Sequence, residues 1–372
     1  MTQYFHFTLG PVQSFVGQAR RTRDFWAGSF LLSWLSGVAM LAVIKQGGKV
    51  LFPQADEDFL HAIEGKKSEK LPKQGSIPNR FKASVNEHFS ATAVTAAVQQ
   101  AWQQLAAQIY QQESAQFDSE QTAVIWQRQV EHFWEMSWVL TDDEANSSGL
   151  DQRKSWRSQY LPAEPGIKCA LIGDWQELSG VLGVSHEERK QREEFWKNIF
   201  DKQKNNRPYD FDSTGKEPLC AIAYIKRRFD RHFANFKASI NADLTIHGWQ
   251  VPSDVPSVAY MAAVPWFAKV LKEGKGSTKL NHFIETAREF AGKPEYKTNI
   301  RCIREAETDP KRTGIDGNLF HEIALENPNI MKETKRENAK VSVDDVKNAL
   351  KPLLQQYGKI LPFYAIFFND GR

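Results

Sequence analysis

Gly10-Pro11-Val12-Gln13-Ser14-Phe15-Val16-Gly17-Gln18-Ala19-Arg20-Arg21-Thr22-Arg23-Asp24-Phe25-Trp26-Ala27-Gly28-Ser29 decides how this chain is read. Ahead of it, Thr2 to Leu9 alternates Tyr4, His6 and Thr8 with Phe5, Phe7 and Leu9, the period of a half-buried strand. Behind it, Phe25 to Ile44 runs for 20 residues without a charge, long enough for a helix buried on most sides. A Gly-Pro turn leaving a strand, followed by Arg20, Arg21 and Arg23 at a helix start, gathers free backbone N–H groups and guanidinium forks at one point. That junction suits an anion.

Working outward, Lys49 to Phe52 reads as a short strand closed by Pro53. Ile77 to Val85 reads as another, with Pro78 restricting it to an edge or a strand entry. Asp56 to Gly75 between them is expected to be a charged loop. Ser90 to Ser114 carries a helical stripe of Val94, Val98, Trp102, Leu105 and Ile109, a second helix follows from Ser119 to Phe133, and Trp134 to Leu140 alternates as a last strand. The order is βαββαβ with one extra helix before the final strand. The expected fold class is therefore α+β: a ferredoxin-like domain with an antiparallel sheet over residues 1–145, an arrangement shared by many unrelated functions. Residues 146–340 are expected to form a mainly helical insertion, in which Ser185 to Lys204 is amphipathic. Residues 341–372 are expected to supply a helix from Val341 to Gly358, capped by Ser342 and Asp345, and an apolar strand from Ile360 to Phe368.

Composition sets wide bounds. The 372 residues are 41% hydrophobic and 25% charged, with a net charge of +3, so nucleic-acid binding would need local clustering of cations. Three cysteines, Cys169, Cys220 and Cys302, are too few and too odd for a disulfide framework and point to a reducing, cytoplasmic setting. The uncharged stretch after three arginines also has the length of a membrane span. Ser29, Ser33 and Ser36, with Gly28 and Gly37, instead make a small-residue face suited to close packing on a sheet, and a strand precedes the stretch, unlike a signal peptide. A buried helix and no membrane are expected.

The opening run resembles the first palm domain in the large subunit of type III CRISPR effector complexes, Cmr type, whose pattern reads G-P-V-Q-x-F-I-x-x-A-R-x-T-R-D-L-W-A-G-S. Gly10, Pro11, Val12, Gln13, Phe15, Ala19, Arg20, Thr22, Arg23, Asp24, Trp26, Ala27, Gly28 and Ser29 fit it. Ile77-Pro78-Asn79-Arg80-Phe81 is similar to the family's P-N-R-F strand, and Trp134 to Trp138 to its aromatic closing strand. The resemblance implies a cytoplasmic antiviral complex whose partners are other effector subunits, crRNA and target RNA. It also implies an ATP site, with a divalent metal in a complete parent, between two palms; Gly10, Gln13, Arg20, Asp24 and Ser29 border that cleft. From the residues alone, Arg20 and Asp24 could equally pair with each other one helical turn apart, and Ser29 could simply permit close packing.

Lys168-Cys169-Ala-Leu-Ile172-Gly173 and Leu219-Cys220-Ala-Ile-Ala223 occupy the places where the family carries K-C-x-x-C-G and L-C-x-x-C. Each half lacks its second cysteine. Structural zinc needs four ligands, so the expectation is a degenerate zinc-knuckle site without zinc, with Cys169 near Cys220 and with Ile172 and Ala223 packed where sulfurs would stand. Trp175, Phe195 and Trp196 are candidates for the replacement packing, and His186 is expected to be a surface histidine.

Phe363 to Arg372 is similar to the family's second-palm opening Y-Y-A-x-L-x-x-D-G-D, with Asp370 at the first aspartate and Arg372 replacing the second. Neither Gly-Gly-Asp-Asp nor His-Asp occurs, so no catalytic residue is assigned; the family's activity is nucleotidyl transfer making cyclic oligoadenylate from ATP. Asp344-Asp345 sits where helix capping is expected. Lys226, Arg227, Arg228 and Arg231, with Phe229, are candidates for contact with an RNA backbone, against the alternative of a merely solvated helix face. Three functions follow: a large-subunit scaffold, or its N-terminal part; part of an active cyclic oligoadenylate synthetase completed by a second palm; and, from another class, a membrane-anchored nucleotide sensor.

Overall fold

The computed structural model describes residues 2–67, 71–117, 119–156, 161–203, 210–252, 255–291, 300–336 and 338–361. Its first compact unit takes in residues 1–20 and 24–252, and its second takes in 21–23 and the chain from 253 to 368. Of the apolar strand expected at Ile360–Phe368, Ile360 and Leu361 are described and are not in a strand; the rest of it, and the second-palm residues Phe363 to Arg372 with Asp370, lie outside the described residues.

In the first unit β1 (Gln3–Gly10), α1 (Thr22–Lys45), β2 (Lys49–Phe52), α2 (Glu57–Ile63), β3 (Arg80–Val85), α3 (Ala91–Glu113), α4 (Gln121–His132) and β4 (Glu135–Thr141) follow in order. The sheet runs β2-β3-β1-β4 with every pairing antiparallel, the topology expected from the βαββαβ order. Asp56 begins α2 rather than a loop: its carboxylate accepts the Phe59 N–H as an N-cap, and Phe59 and Ile63 are fully buried. The cap and this apolar pair were hidden among the charges around them. β1 is less one-sided than its alternation suggests. Phe5, Phe7 and Leu9 are buried, but so are His6 and Thr8, because α5 (Ser148–Trp156) packs beside β1 and β4.

α1 meets the length and hydropathy of a membrane span, yet 89% of its most apolar window is buried inside the fold. What covers it is the segment from α7 (Ala221–His232) through the two-stranded ribbon β5 (Lys237–Ser239) and β6 (Thr245–His247). The Phe30 ring lies 5.5 Å from those of Phe233 and Trp249 and 5.7 Å from Phe229. The Trp34 ring lies 5.5 Å from Phe233 and 5.4 Å from Phe236. The serine face does not lie on the sheet as expected. The Ser33 hydroxyl donates to the Ile77 carbonyl at 2.8 Å, and a Cβ on Gly75 would come within 2.6 Å of the Ser29 carbonyl oxygen. The small residues admit the loop that enters β3.

These contacts correct the expected boundary at 145. Residues 146–252, including α6 (His186–Gln203) between α5 and α7, share one continuous core with the sheet domain, because α1 needs their aromatic rings to cover its outer side. Ser253 onward forms a helical unit with its own core around Phe267, Phe283 and Phe320. It comprises α8 (Val258–Glu273), α9 (Thr278–Ala291), the short α10 (Arg301–Ala306), α11 (Pro310–Thr313), α12 (Glu322–Leu325) and α13 (Pro328–Thr334), and α14 (Val343–Tyr357). α14 therefore belongs with 253–340 rather than to a separate segment from 341. Its start is a full capping box between Ser342 and Asp345, so Asp345 caps the helix as its sequence position indicated.

Phe233→Ala removes a ring that touches five aromatic neighbours and should cost about 3–5 kcal/mol. Urea unfolding followed by hydrogen exchange should show α1 and α7 losing protection together. Loss confined to residues 221–252 would mean that the two do not share a core.

Candidate functional site

The Gly10–Ser29 stretch leaves the end of β1 as a built loop. Asn79, buried, donates from Nδ2 to the Leu9 carbonyl at 3.0 Å, and the Leu9 N–H donates to the Asn79 carbonyl at 2.8 Å. This fixes where β1 stops and the loop begins, and it explains why Asn79 stands in the similar P-N-R-F segment. Residues 13–17 then make one wide helical turn. From it Phe15 plunges into the core, its ring 4.8 Å from Trp134 and 5.4 Å from Phe133.

The loop is held from beneath by α7. Its Lys226 ammonium donates to the Phe15 carbonyl and, at 2.9 Å, to the Gln18 carbonyl, satisfying acceptors that the turn leaves over. Burial pushes the Lys226 amine down to about 8, while Asp24 favours its charged form. Gly28 is necessary for this approach: a Cβ there would come within 2.9 Å of Lys226 Cε and 3.1 Å of Val16 Cα. Next along α7, Arg227 donates from Nε to Asp24 Oδ1 at 3.1 Å and from a terminal nitrogen to Oδ2 at 3.3 Å, and its guanidinium also pairs with Glu217. Burial opposes ionisation of Asp24, but Arg227 overcomes it and holds the carboxyl below its usual range. The Arg20 N–H completes the cap of Asp24 at 3.1 Å.

Arg228 follows Arg227 on α7 and has a different set of partners. It pairs with Glu113 and Asp210, and the Tyr224 hydroxyl donates to Glu113 at 2.6 Å. A carboxylate at the C-terminus of α3 opposes the helix dipole, and burial also works against its charge. His232 and Arg228 nevertheless bring the Glu113 carboxyl down to about 2.

These contacts correct the RNA-contact expectation. Lys226, Arg227 and Arg228 are each 98–99% buried, because nearly the whole of α7 lies in the core and its cations are taken up by carbonyls and carboxylates inside it. Arg231, half-buried, reaches Gln203 at 3.2 Å. A run of cations does not tell from sequence whether it faces water or buried acids.

Of the residues expected to border a nucleotide, Gln13, Arg20 and Ser29 are exposed, Gly10 is half-buried and Asp24 is buried. Arg20 and Asp24 do associate, through the Arg20 main chain; the Arg20 guanidinium lies 3.6 Å from Glu217. Asp24 is thus part of the support beneath the rim. Sequence reading overlooked a depression of about 610 Å³ on the other face of the sheet, lined by His6, Phe52, Arg80, Lys82 and Lys154. There Arg80 pairs with Asp151 and Lys82 with Glu144.

Cys169 and Cys220 come near each other as expected: both are buried, and their two segments are joined by the Ala170 N–H to the Pro218 carbonyl at 2.8 Å and the Leu178 N–H to the Leu219 carbonyl at 3.0 Å. Ile172 and Ala223 are buried beside them, His186 is exposed, and Trp175, Phe195 and Trp196 are buried. Among the described residues no three of His, Cys, Asp or Glu converge on a metal position. Two thiols and two hydrocarbon side chains do not fit tetrahedral zinc.

Residues 4–108 match the family described as CRISPR-associated protein Cmr2, N-terminal. That span takes in the loop, α1, the first three strands and most of α3. A chain in a cryo-EM structure of the Type III-B Cmr-beta bound to cognate target RNA is similar at 14% identity with a TM-score of 0.45, over 79% of this chain. This chain spans 39% of the length of that one. No curated protein matches.

Two outcomes follow from the buried pairs. Asp24→Asn removes the carboxylate charge that faces Arg227 and should lower stability by about 3 kcal/mol, measured by urea unfolding at pH 7. For Glu113 the folded value lies below the ordinary 4.5. Its contribution, about 3 kcal/mol, is therefore complete above pH ~4.5 and lost as pH falls through ~2. Glu113→Gln should flatten the acid limb of the stability profile in that window; an unchanged limb would show that the carboxylate is not held by these partners.

Proposed function

We propose that this chain is the N-terminal part, or a degenerate form, of the large subunit of a Cmr-type type III CRISPR effector complex. In it the chain scaffolds crRNA-guided RNA targeting in the cytoplasm. The observation that carries the reading is the match over residues 4–108, which contains both the Gly10–Ser29 loop and the Asn79 bracket that positions it. The partners in this reading are the other effector subunits, with crRNA and target RNA reached through the complex. The membrane-anchored alternative has less support, since the helix it needs is covered by aromatic side chains of the same unit.

Within this reading, Gly10, Gln13, Arg20 and Ser29 contribute the rim of an ATP site. The backbone groups of the turn and the Arg20 fork receive phosphate oxygens, while Asp24 and Arg227 hold the turn in place. The divalent metal, and any cyclic oligoadenylate synthesis, belong to a parent with a second palm, to which Asp370 would contribute. The Cys169/Ile172 and Cys220/Ala223 turns are read as a zinc knuckle that has lost half its ligands.

Co-expression of the full chain with tagged Cmr-type backbone subunits and crRNA tests the reading, with stoichiometric co-elution expected. Elution of the chain apart from a complete complex would refute it. Calorimetric titration of ATP with magnesium should give about tenfold weaker binding for Arg20→Ala, the worth of one charge-assisted contact; equal heats would remove Arg20 from the site.

A further inference from the structure

A net charge of +3 brings a polyanion only where cations gather, and the run on α7 that looked like such a gathering is consumed inside the core. A second concentration sits at one corner of the helical unit. α8 passes to α9 through a tight turn, in which the Gly274 N–H donates to the Val270 carbonyl at 2.8 Å and the Ser277 N–H to the Gly274 carbonyl at 2.9 Å. Lys269 and Lys272 stand one helical turn apart near the end of α8, Lys275 lies in the turn and Lys279 in the first turn of α9. The end of α14 is held against the same place: the Trp266 indole donates to the Gly358 carbonyl at 2.8 Å, and a Cβ on Gly274 would come within 3.1 Å of the Tyr357 hydroxyl oxygen. Lys359 is thereby brought to this corner. All five lysines are exposed. Glu273 is the one acid from Val258 to Ile284, and none lies from Val346 to Leu361.

Elsewhere in this unit Arg301, Arg312 and Arg336 pair with Glu305, Glu307 and Glu289, whereas among the described residues these five lysines have no ion-pair partner. Like charges one helical turn apart repel, a cost that a polyanion laid across them removes. We propose that this corner binds the sugar–phosphate backbone of a nucleic-acid strand, each lysine neutralising a phosphate; that the strand is RNA rests on the function proposed above. The composition of the corner favours this occupant over the other anionic partners. Protein interfaces take their anchors from Tyr, Trp and Arg and are depleted in Lys, and a membrane-binding face needs apolar side chains beside its cations. Here Trp266 and Phe267 are buried, and neither 262–291 nor 343–360 exposes a large apolar side chain. The same lack leaves no aromatic platform for stacking bases. Point charges on long flexible stems meet phosphate without reading sequence.

The test measures binding of a fluorescent, mixed-sequence single-stranded RNA to the full chain by anisotropy across a salt series. Contact with about five phosphates sets a log–log salt slope of about −3.5, so affinity should fall roughly a hundredfold between ~50 and ~200 mM salt. Changing Lys269, Lys272, Lys275, Lys279 and Lys359 together to Gln should weaken binding at least about tenfold and flatten the slope to near zero. A control variant carries the same net charge, with the exposed Lys67, Lys190, Lys197, Lys216 and Lys311 changed to Gln instead; it should bind within about twofold of the wild type, with the slope kept. RNA ended in a periodate-made dialdehyde and reduced onto the unaltered chain, which needs no variant to fold, should attach within 269–279 and at Lys359. Equal affinity of the two variants, a slope unchanged by the corner substitutions, or attachment confined to other lysines would each overturn the proposal. So would a corner variant that keeps its RNA affinity but no longer co-elutes with the Cmr-type backbone subunits, since the corner would then meet an acidic protein surface. A wild-type chain that binds RNA through these lysines yet elutes apart from the complex would refute the function proposed above and leave the backbone site standing.

Discussion

The bidentate pairing of Arg227 with Asp24, deep beneath the first loop, is the contact on which the rest of the first unit depends. Asp24 belongs to the first turn of α1 and Arg227 to the middle of α7, 203 residues later. Burying both charges costs several kcal/mol per ion before any attraction is counted. The pair persists because Glu217 and the Asp210 carbonyl take further guanidinium donors and the Arg20 N–H donates to the carboxylate. Such a pair adds little to net stability compared with a hydrocarbon of the same shape. Its effect is register: α7 seats in one position only, and Lys226, one residue before, then meets the two carbonyls of the loop.

That seating links packing to function. Once α7 is in place, its aromatic continuation covers α1, and a helix apolar enough to cross a membrane becomes the interior of the first unit. The loop above is left with a fixed backbone, an internal underside and an outer surface carrying Gln13, Arg20 and Ser29. In the proposed ATP-site reading, a loop ordered in advance favours binding, since the entropy of ordering it is not charged against the anion.

Much of this was legible in the residues. The strand period of β1, the capping box at Ser342 and the uncharged length of α1 could be read directly, because each rests on local spacing, whereas the proximity of Cys169 to Cys220 was implied by the family resemblance. What could not be read depended on distant partners. Lys226, Arg227 and Arg228 look like a basic face until Asp24, Glu217, Glu113 and Asp210 are brought to them. His6 and Thr8 look solvent-facing until α5 lies beside them. The boundary expected at 145 failed for the same reason: the composition changes there, but the aromatic cover for α1 is encoded about a hundred residues later. The depression beside Arg80 and Lys82 is assembled from β1, β2, β3 and the segment after β4, and no local pattern announces it.

A double-mutant cycle between Asp24→Asn and Arg227→Met, read by urea unfolding at pH 7 with hydrogen exchange of residues 12–20 as the local probe, addresses the clamp most directly. The expected coupling is about 2 kcal/mol or more, with the loop losing protection in both single variants. Coupling within about 0.5 kcal/mol of zero, together with a loop as protected as in the wild type, would contradict an internal clamp and return the α7 cations to the surface role that their sequence suggests.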